Sequence, residues 1–269
     1  MTMAWDLVRR LFGHSGRALV RRPLATAASA LCLGFGIAAC ASAWTLVNAV
    51  ILRPFGLAAD RLVVVWETDP ARGQPLIEVS LLNFLDWQRE AKTVETMAAF
   101  GSSHWPALAR IGSETVSLAV RGVSQSFFAT LGAHPALGRD FADEDTREDV
   151  PPPVILSDRL WRSRFNGDPS IVGRLLFIDG NDTRIVGVMP RGFAFPDDPD
   201  AWVFLVDRIF GEAYKQLSPE AQRQVGVLEV VGRRKPGVSD ADVRAELSRI
   251  VGDLRRQHHA QETTVGADV

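Results

Sequence analysis

The segment RLLFIDGNDTRIVGVM, residues 174–189, decides the fold class. Its two arms, residues 174–179 and 183–189, are rich in the apolar and β-branched residues that favour strands. Between them, Gly180, Asn181 and Asp182 are residue types that favour a turn. The segment therefore predicts a β-hairpin, which Pro190 ends.

On the N-terminal side of this hairpin, short strands and short helices alternate. Strands are predicted at residues 61–67, 97–111, 115–123 and 154–156. Ser80, Ser157, and either Ser124 or Ser126 are predicted to cap three short helices. Helices that cross between strands, next to adjoining hairpins, indicate an α+β domain rather than a doubly wound parallel sheet.

On the C-terminal side, the last helix has the clearest boundary signals. Pro236 and Gly237 interrupt the chain, and Ser239 and Asp242 form a capping-box-like pair. An apolar stripe follows at helical spacing: Val243, Leu247, Ile250, Val251 and Leu254. Arg255 and Arg256 then place positive charge where the helix dipole favours it. One face of this helix is expected to pack on the core.

Far upstream, residues 24–52 carry no charged side chain. About 20 residues suffice to cross a hydrocarbon core of ~30 Å as a helix, so we predict one transmembrane helix at residues 24–52. Charged residues interrupt every later apolar run, so no second span is expected. Several arginines precede the span against the single acidic residue Asp6, which predicts a cytoplasmic N-terminus. Residues 1–23 are predicted to form a cytoplasmic amphipathic segment in the headgroup layer.

Two cleavable signals are alternative interpretations of this stretch. Ala41-Ser42-Ala43 has the form of a signal-peptidase site, and residues 37–40 resemble a lipoprotein box that would leave Cys40 lipidated. Against both, the apolar run continues from Trp44 to Leu52, where a mature secreted protein normally becomes polar. The uncleaved anchor is therefore the favoured interpretation, and protein mass distinguishes the alternatives.

Charge and cysteine content exclude several functional classes. The 30 basic and 32 acidic side chains give a net charge of −2, and no basic run is interleaved with aromatic residues, so nucleic acid is not an expected partner. Both cysteines, Cys32 and Cys40, lie in the apolar stretch. Residues 53–269 therefore contain neither an internal disulfide nor a thiolate metal site.

No motif in the sequence predicts catalysis. GxSxG, HExxH and P-loop patterns are absent, so we expect no enzyme activity and assign no catalytic, cofactor-binding or metal-binding residue. The histidines show no ligand spacing: His14, His104, His134, His258 and His259. GFGIAA at residues 34–39 fits a dinucleotide fingerprint only formally, because a charge-free apolar stretch offers no strand–turn–helix context.

Three other groups of residues receive structural interpretations. The six carboxylates between Asp140 and Asp149 lack the spacing of a calcium loop and predict a solvated acidic loop. Four tryptophans are predicted to belong to the core rather than to a ligand platform: Trp66, Trp87, Trp161 and Trp202. Asp197 and Asp198 lie in a proline-rich segment, where a turn explains them without catalysis.

Sequence blocks spread along the chain resemble the MacB-like ABC transporter permeases, particularly the acidobacterial type. LGFGI (33–37), VNAVILRP (47–54) and DRLV (60–63) resemble the first transmembrane helix and its exit. Further blocks resemble the periplasmic core domain of that family: LGAHPALGR (131–139) with Phe141, VILSDRLW (154–161), RFNGD (164–168), VGR (172–174), IVGVMP (185–190) with Gly192 and Phe193, and KPGV (235–238). The blocks cover nearly the whole chain in order.

The resemblance implies a noncatalytic portion of an inner-membrane permease, with residues 53–269 forming a periplasmic core domain. It further implies a separate ATP-binding subunit, other permease subunits in a dimer, and a periplasmic adaptor or outer-membrane partner. Such a domain would couple ATP hydrolysis to efflux or to mechanotransmission. Family members continue to further transmembrane helices, so the domain is expected to be incomplete at its C-terminus. The alternatives are a stand-alone membrane-tethered or lipidated periplasmic binding module, and a secreted enzyme with an unrecognised site.

Overall fold

The computed structural model describes residues 61–69, 74–147, 149–205, 212–257 and 266–268. The predicted segments at residues 1–23 and 24–52 lie outside the described residues, as do His258 and His259. Among the residues that are described, no helix has the length and apolar character needed to cross a membrane. The chain divides into two compact units, Met1–Pro54 and Phe55–Val269, and everything described belongs to the second.

Strands and helices in this unit alternate in a mixed order. In chain order they are β1 (Leu62–Asp69), β2 (Gln74–Ile77), β3 (Val79–Ser80), α1 (Leu81–Glu90), β4 (Val94–Gly101), β5 (Trp105–Ile111), β6 (Glu114–Val123), α2 (Phe127–Leu131), β7 (Leu137–Gly138), β8 (Pro153–Leu156), α3 (Asp158–Phe165), β9 (Leu175–Ile178), β10 (Asn181–Val188), β11 (Ala201–Phe204), α4 (Glu212–Lys215), α5 (Pro219–Gln222), β12 (Gly226–Arg234), α6 (Asp240–Gln257) and β13 (Gly266–Asp268). Short 3-10 turns lie at Asp143–Thr146 and Pro169–Ile171. The predicted α+β class is confirmed.

The first and last strands of the chain build one sheet, which we call the helix-backed sheet. β12 lies at its centre and pairs antiparallel with β4 on one side and β1 on the other, while β2 and β13 pair with opposite edges of the end of β1, since Glu67 pairs with both Ile77 and Ala267. α1 and α6 pack on one face of it. Their shared core is fully apolar, and its most deeply buried members include Val65, Trp87, Val230, Leu247 and Ile250. The apolar stripe predicted for the last helix is thus confirmed.

Six of the remaining strands close into a barrel. The order β6–β5–β9–β10–β8–β11 returns to β6, because β11 pairs antiparallel with β8 and parallel with β6. Side chains alternate along these strands, so Leu118, Val120, Val154 and Leu156 fill the interior while their neighbours face outward. The interior is apolar and packed, which makes the barrel a core rather than a channel.

A third core joins the barrel to the uncovered face of the helix-backed sheet. Phe100 and Val231 come from that sheet, Ile155 and Trp202 come from the outside of the barrel, and α2 lies between them. Aromatic rings contact each other through this layer with mostly edge-on or tilted geometry, at centroid separations of 5.2–6.0 Å. The two halves of the domain are therefore packed together over a continuous apolar interface.

The hairpin predicted at residues 174–189 is confirmed, but its turn is one residue earlier than expected. Asp179 and Gly180 form a two-residue turn with φ of 47° and 84°, as the favoured hairpin turns require, while Asn181 already pairs with Ile178. The Asp179 carboxylate accepts a hydrogen bond of 2.7 Å from the Leu108 N–H. This contact ties the turn to β5 and explains why the chain turns there.

Some of the other predicted helix caps and strand boundaries are confirmed, and others are wrong. Ser80 and Ser157 cap their helices by accepting hydrogen bonds from Asn83 N and Leu160 N. The single strand predicted at residues 97–111 is wrong, because the chain crosses from the helix-backed sheet into the barrel between β4 and β5. The predicted cap of α2 by Ser124 or Ser126 is wrong, because neither side chain accepts a hydrogen bond from the first turn of the helix. Instead, Ser124 Oγ accepts from Ala99 N at 3.0 Å and Ser126 Oγ donates to Met97 O at 2.7 Å, which fastens this short helix to β4.

Glu246 fastens α6 to the start of β4. Its Oε2 accepts hydrogen bonds from Lys92 N at 2.9 Å, Thr93 N at 2.8 Å and Thr93 Oγ1 at 2.5 Å. Burial alone would raise the pKa of Glu246, but the hydrogen bonds from Thr93 and Lys92 outweigh it and lower the pKa below its ordinary value. The ionised form is therefore the one that stabilises this junction.

We expect Glu246→Gln to lower the free energy of unfolding by about 1.5 kcal/mol at pH 7, because hydrogen bonds to a carboxylate are stronger than those to an amide. The folded-state pKa is depressed, so the advantage of glutamate exists above its unfolded pKa of about 4.3 and disappears as pH falls through the folded value. Urea titrations of the full chain in detergent at pH 7 and pH 3.5 measure this. A difference between wild type and variant that grows on acidification would contradict the prediction.

Candidate functional site

The predicted acidic loop at residues 140–149 is exposed to solvent, and hydrogen bonds also hold it in place. Asp145 accepts two hydrogen bonds from Arg139, at 2.7 and 2.8 Å, and Asp143 accepts one of 2.6 Å from Gln125. Burial alone would raise the pKa of Asp145, but the hydrogen bonds from Arg139 and from Ala142 N lower it. His134 Nδ1 lies 2.9 Å from Asp140. Asp143, Glu144 and Asp149 are exposed, as predicted for a solvated loop, and Asp145 is in addition held by Arg139.

In the part of the chain that the structure describes, no group of three or more His, Cys, Asp and Glu side chains is arranged to hold a metal ion. Trp87 and Trp202 are fully buried, which confirms their predicted core role. Trp66 and Trp161 are half-buried. Trp161 donates its indole N–H to Asp168 O at 2.9 Å, so it stabilises the end of α3. One group of charged side chains surrounds the loop between β10 and β11.

Arg121 is the one fully buried arginine within the described residues, and it lies where the barrel meets the helix-backed sheet. Strand β6 places it on the outer face of the barrel, since Val120 beside it points inward. Its Nη1 donates to Gly101 O at 2.6 Å, and its Nη2 pairs with Asp197. The guanidinium also lies 6.0 Å from the centre of the Phe100 ring. Arg121 thus connects β4, β6 and the β10–β11 loop.

The β10–β11 loop carries two consecutive aspartates in the left-handed region, Asp197 at φ 55° and Asp198 at φ 48°. This conformation costs about 1 kcal/mol or more per non-glycine residue, so contacts must hold it. Arg121 holds Asp197, while Arg159 donates to Asp198 O at 3.0 Å and pairs with Asp200 at 3.0 Å. The earlier interpretation of Asp197 and Asp198 as ordinary turn residues is therefore incomplete.

Glu229 adds an acidic group to this junction. It lies on β12 opposite Phe100, on the side of the sheet that faces Arg121. Burial raises the pKa of Glu229, the positive charge of Arg121 opposes this shift, and the negative charges of Asp197 and Glu78 add to it. Four charged residues from both halves of the domain therefore interact across one junction.

A cleft opens on the other side of the same loop. It has a volume of about 420 Å³ and lies between the start of α3 and the chain that follows β10. One wall consists of Ser157, Asp158, Arg159 and Arg162, and the other of residues 191–194 with Asp198. Ser157 Oγ caps α3 by accepting a hydrogen bond from Leu160 N at 3.1 Å, and the charged side chains of the lining can bind and position a ligand.

Comparison with known proteins gives a consistent family assignment. The family model described as the MacB-like periplasmic core domain matches residues 26–250. No curated protein sequence matches significantly.

Solved structures share the fold at low sequence identity. The extracellular domain of the noncanonic ABC-type transporter YknZ from Gram-positive bacteria aligns at TM-score 0.52 and 13% identity, covering 77% of this chain and 100% of that one. A domain assigned to a permease of Porphyromonas gingivalis aligns at 0.53 and 17%, covering 77% and 88%. The periplasmic region of MacB from Actinobacillus actinomycetemcomitans aligns at 0.52 and 10%, covering 81% and 91%.

These solved domains show the fold alone, whereas the family model spans most of the sequence. The family model confirms the resemblance noted in the sequence blocks, and the family is a component of ABC transporter permeases. The chain belongs to the MacB-like periplasmic core domain family.

Proposed function

We propose that this chain is the membrane-anchored periplasmic portion of an ABC transporter permease and that it relays ATP-driven movement across the envelope. Residues 24–52 anchor it, and residues 53–269 lie in the periplasm. A separate subunit hydrolyses ATP, other permease subunits complete a dimer, and an adaptor or outer-membrane protein is the distal partner. The observation that carries the proposal is the family match over residues 26–250, which includes most of the predicted span.

The packing between the two halves of the domain supports a role in transmitting movement. An apolar layer joins the barrel to the helix-backed sheet, and Arg121 links β4, β6 and the β10–β11 loop across that junction. Densely packed interiors transmit displacement because they have low compressibility. A movement applied near β1, where the chain leaves the predicted anchor, would therefore reach the barrel without being absorbed between the two halves.

The anchored topology predicts a specific mass and protease pattern. The purified chain should have its uncleaved mass, and protease added to spheroplasts should digest the region after residue 53 while leaving a fragment that contains residues 24–52. Mass spectrometry of the detergent-extracted protein and of the protected fragment measures both. A mature chain beginning near Cys40 or Trp44 would contradict the anchor and support a secreted or lipidated binding module instead.

Coupling to ATP hydrolysis needs a separate test. The full chain should co-purify with an ATP-binding subunit encoded beside it, and that complex should hydrolyse ATP. A matched Walker-lysine variant of the ATP-binding subunit should retain assembly and lose hydrolysis, which separates partner binding from turnover. A chain that is correctly anchored but purifies without any ATP-binding subunit would contradict the coupling proposal while leaving the topology intact.

A further inference from the structure

The carboxylates that line the cleft beside α3 already have arginine partners. Asp158 accepts hydrogen bonds of 2.8 and 2.9 Å from Arg162 Nε. Asp198 lies 3.6 Å from Arg159 Nε, and Arg159 also pairs with Asp200 just outside the lining. Among the lining residues three arginines therefore face two aspartates, which leaves one positive charge in excess, while Asp200 shares Arg159 just outside the lining. That excess determines which ligand the lining attracts.

Two arginines in the cleft retain unused hydrogen-bond donors. Arg191 is exposed, and no partner for its side chain exists among the described residues. Arg162 uses only Nε in its pair with Asp158, so within the described part of the chain both of its terminal nitrogens are available. The Arg162 guanidinium also lies 5.1 Å from the centre of the Trp161 ring. Asp158 and Trp161 thus hold Arg162 in position before any ligand arrives.

We propose that this cleft binds an acidic peptide segment of a partner protein, with Arg162 and Arg191 binding its carboxylates. Guanidinium groups match carboxylates through paired N–H donors, and a preorganised guanidinium loses little freedom on binding. The volume of about 420 Å³ exceeds what one carboxylate fills and lies within the usual range of binding clefts, about 300–1,000 Å³. The cleft is open to solvent, so an extended chain can cross it.

This inference does not depend on ATP coupling, because binding requires only the folded domain. The loop that holds Asp198 in a left-handed conformation forms part of the cleft wall, and Arg121 and Arg159 fix that loop. The wall is therefore shaped before binding. An acidic ligand is expected to bind mainly through charge, so its affinity should fall as salt rises.

Fluorescence anisotropy tests the proposal with the full chain in detergent and a fluorescein-labelled hexaglutamate peptide at low ionic strength. Arg191→Glu should weaken binding by about tenfold, because it reverses the uncompensated charge of the cleft. Arg110→Glu is the matched control: it makes the same charge change on exposed β5, where Arg110 lies over Phe177 at 4.5 Å and does not line the cleft. Binding by the control should stay within about twofold of wild type.

Three results would overturn the proposal. The first is no binding of hexaglutamate by the wild-type chain, and the second is an equal loss in both variants, which would indicate only a general effect of net charge. The third is displacement of the peptide by inorganic phosphate beyond that caused by chloride at equal ionic strength, which would indicate a small-anion site. Because Arg191 is exposed and unpaired among the described residues, Arg191→Glu should unfold at the same urea concentration as wild type, and Arg110→Glu, which loses its contact with Phe177, should unfold at a slightly lower urea concentration, which separates binding from folding.

Discussion

Replacing Trp202 by alanine should lower the free energy of unfolding by about 4 kcal/mol, the largest effect we expect from a single change in this domain. Trp202 is fully buried on the outer face of β11, where its ring contacts Phe128 and Phe193 at centroid separations of 5.7 and 5.3 Å. Its indole N–H donates to Phe195 O at 3.1 Å. The substitution removes a large apolar volume and leaves that carbonyl without its donor.

Trp202→Phe is the control for this prediction, since it keeps an aromatic ring and removes the indole N–H. We expect it to cost about half as much as alanine. Urea unfolding of the full chain in detergent, followed by circular dichroism, gives both values without depending on the mutated fluorophore. If alanine cost less than about 1 kcal/mol, the apolar layer between barrel and helix-backed sheet would not be the interface that the structure shows.

Arg121→Met should lower the free energy of unfolding by about 2 kcal/mol, the second largest effect. Methionine keeps an apolar stem but leaves Gly101 O without the donor that lies 2.6 Å away. Asp197, whose side chain is 70% exposed, stays hydrated after the change, so the lost ion pair contributes less than the lost carbonyl contact. The two residues with positive φ in the β10–β11 loop also lose the contact between Arg121 and Asp197 that stabilises their conformation.

Asp197→Asn distinguishes these two contributions because it removes the charge and leaves the contact between Arg121 and Gly101 intact. We expect it to cost less than about 1 kcal/mol. Limited proteolysis by thermolysin should cut the β10–β11 loop faster in Arg121→Met than in Asp197→Asn. An equal cost for both variants would show that the ion pair, and not the buried carbonyl contact, holds the junction.

Local signals in the sequence predicted elements whose stability is also local. The capping box is confirmed in detail: Ser239 Oγ accepts from Asp242 N at 3.2 Å, and the Asp242 carboxylate accepts from Ser239 N at 2.9 Å. Likewise, α3 ends at Asn166 and Gly167, both with positive φ, and these are residue types that favour the end of a helix. Each of these features depends on residues that are neighbours in the sequence.

The missed features depend on partners that are distant in the sequence. The β-branched residues of β12 favour a strand, which was not among the predicted elements. Its central place in the sheet follows only from its pairing with β1 and β4. Closure of the barrel rests on the parallel pair β6–β11, which no local pattern encodes. Arg121 has the outward orientation that alternation along β6 indicates. It is buried because the third core and the β10–β11 loop cover that face.

The pairing of β4 with β12 gives the barrel an unusual position in the chain. Gly101, the last residue of β4, is the direct partner of Leu228 near the start of β12. Directly paired residues of antiparallel strands lie only about 5 Å apart, so the chain leaves the helix-backed sheet and re-enters it at almost the same place. The barrel therefore occupies the loop of a β4–β12 hairpin, as a domain inserted between adjacent strands does. During synthesis, β1 and β4 can consequently pair with β12 only after the whole insert has been synthesised.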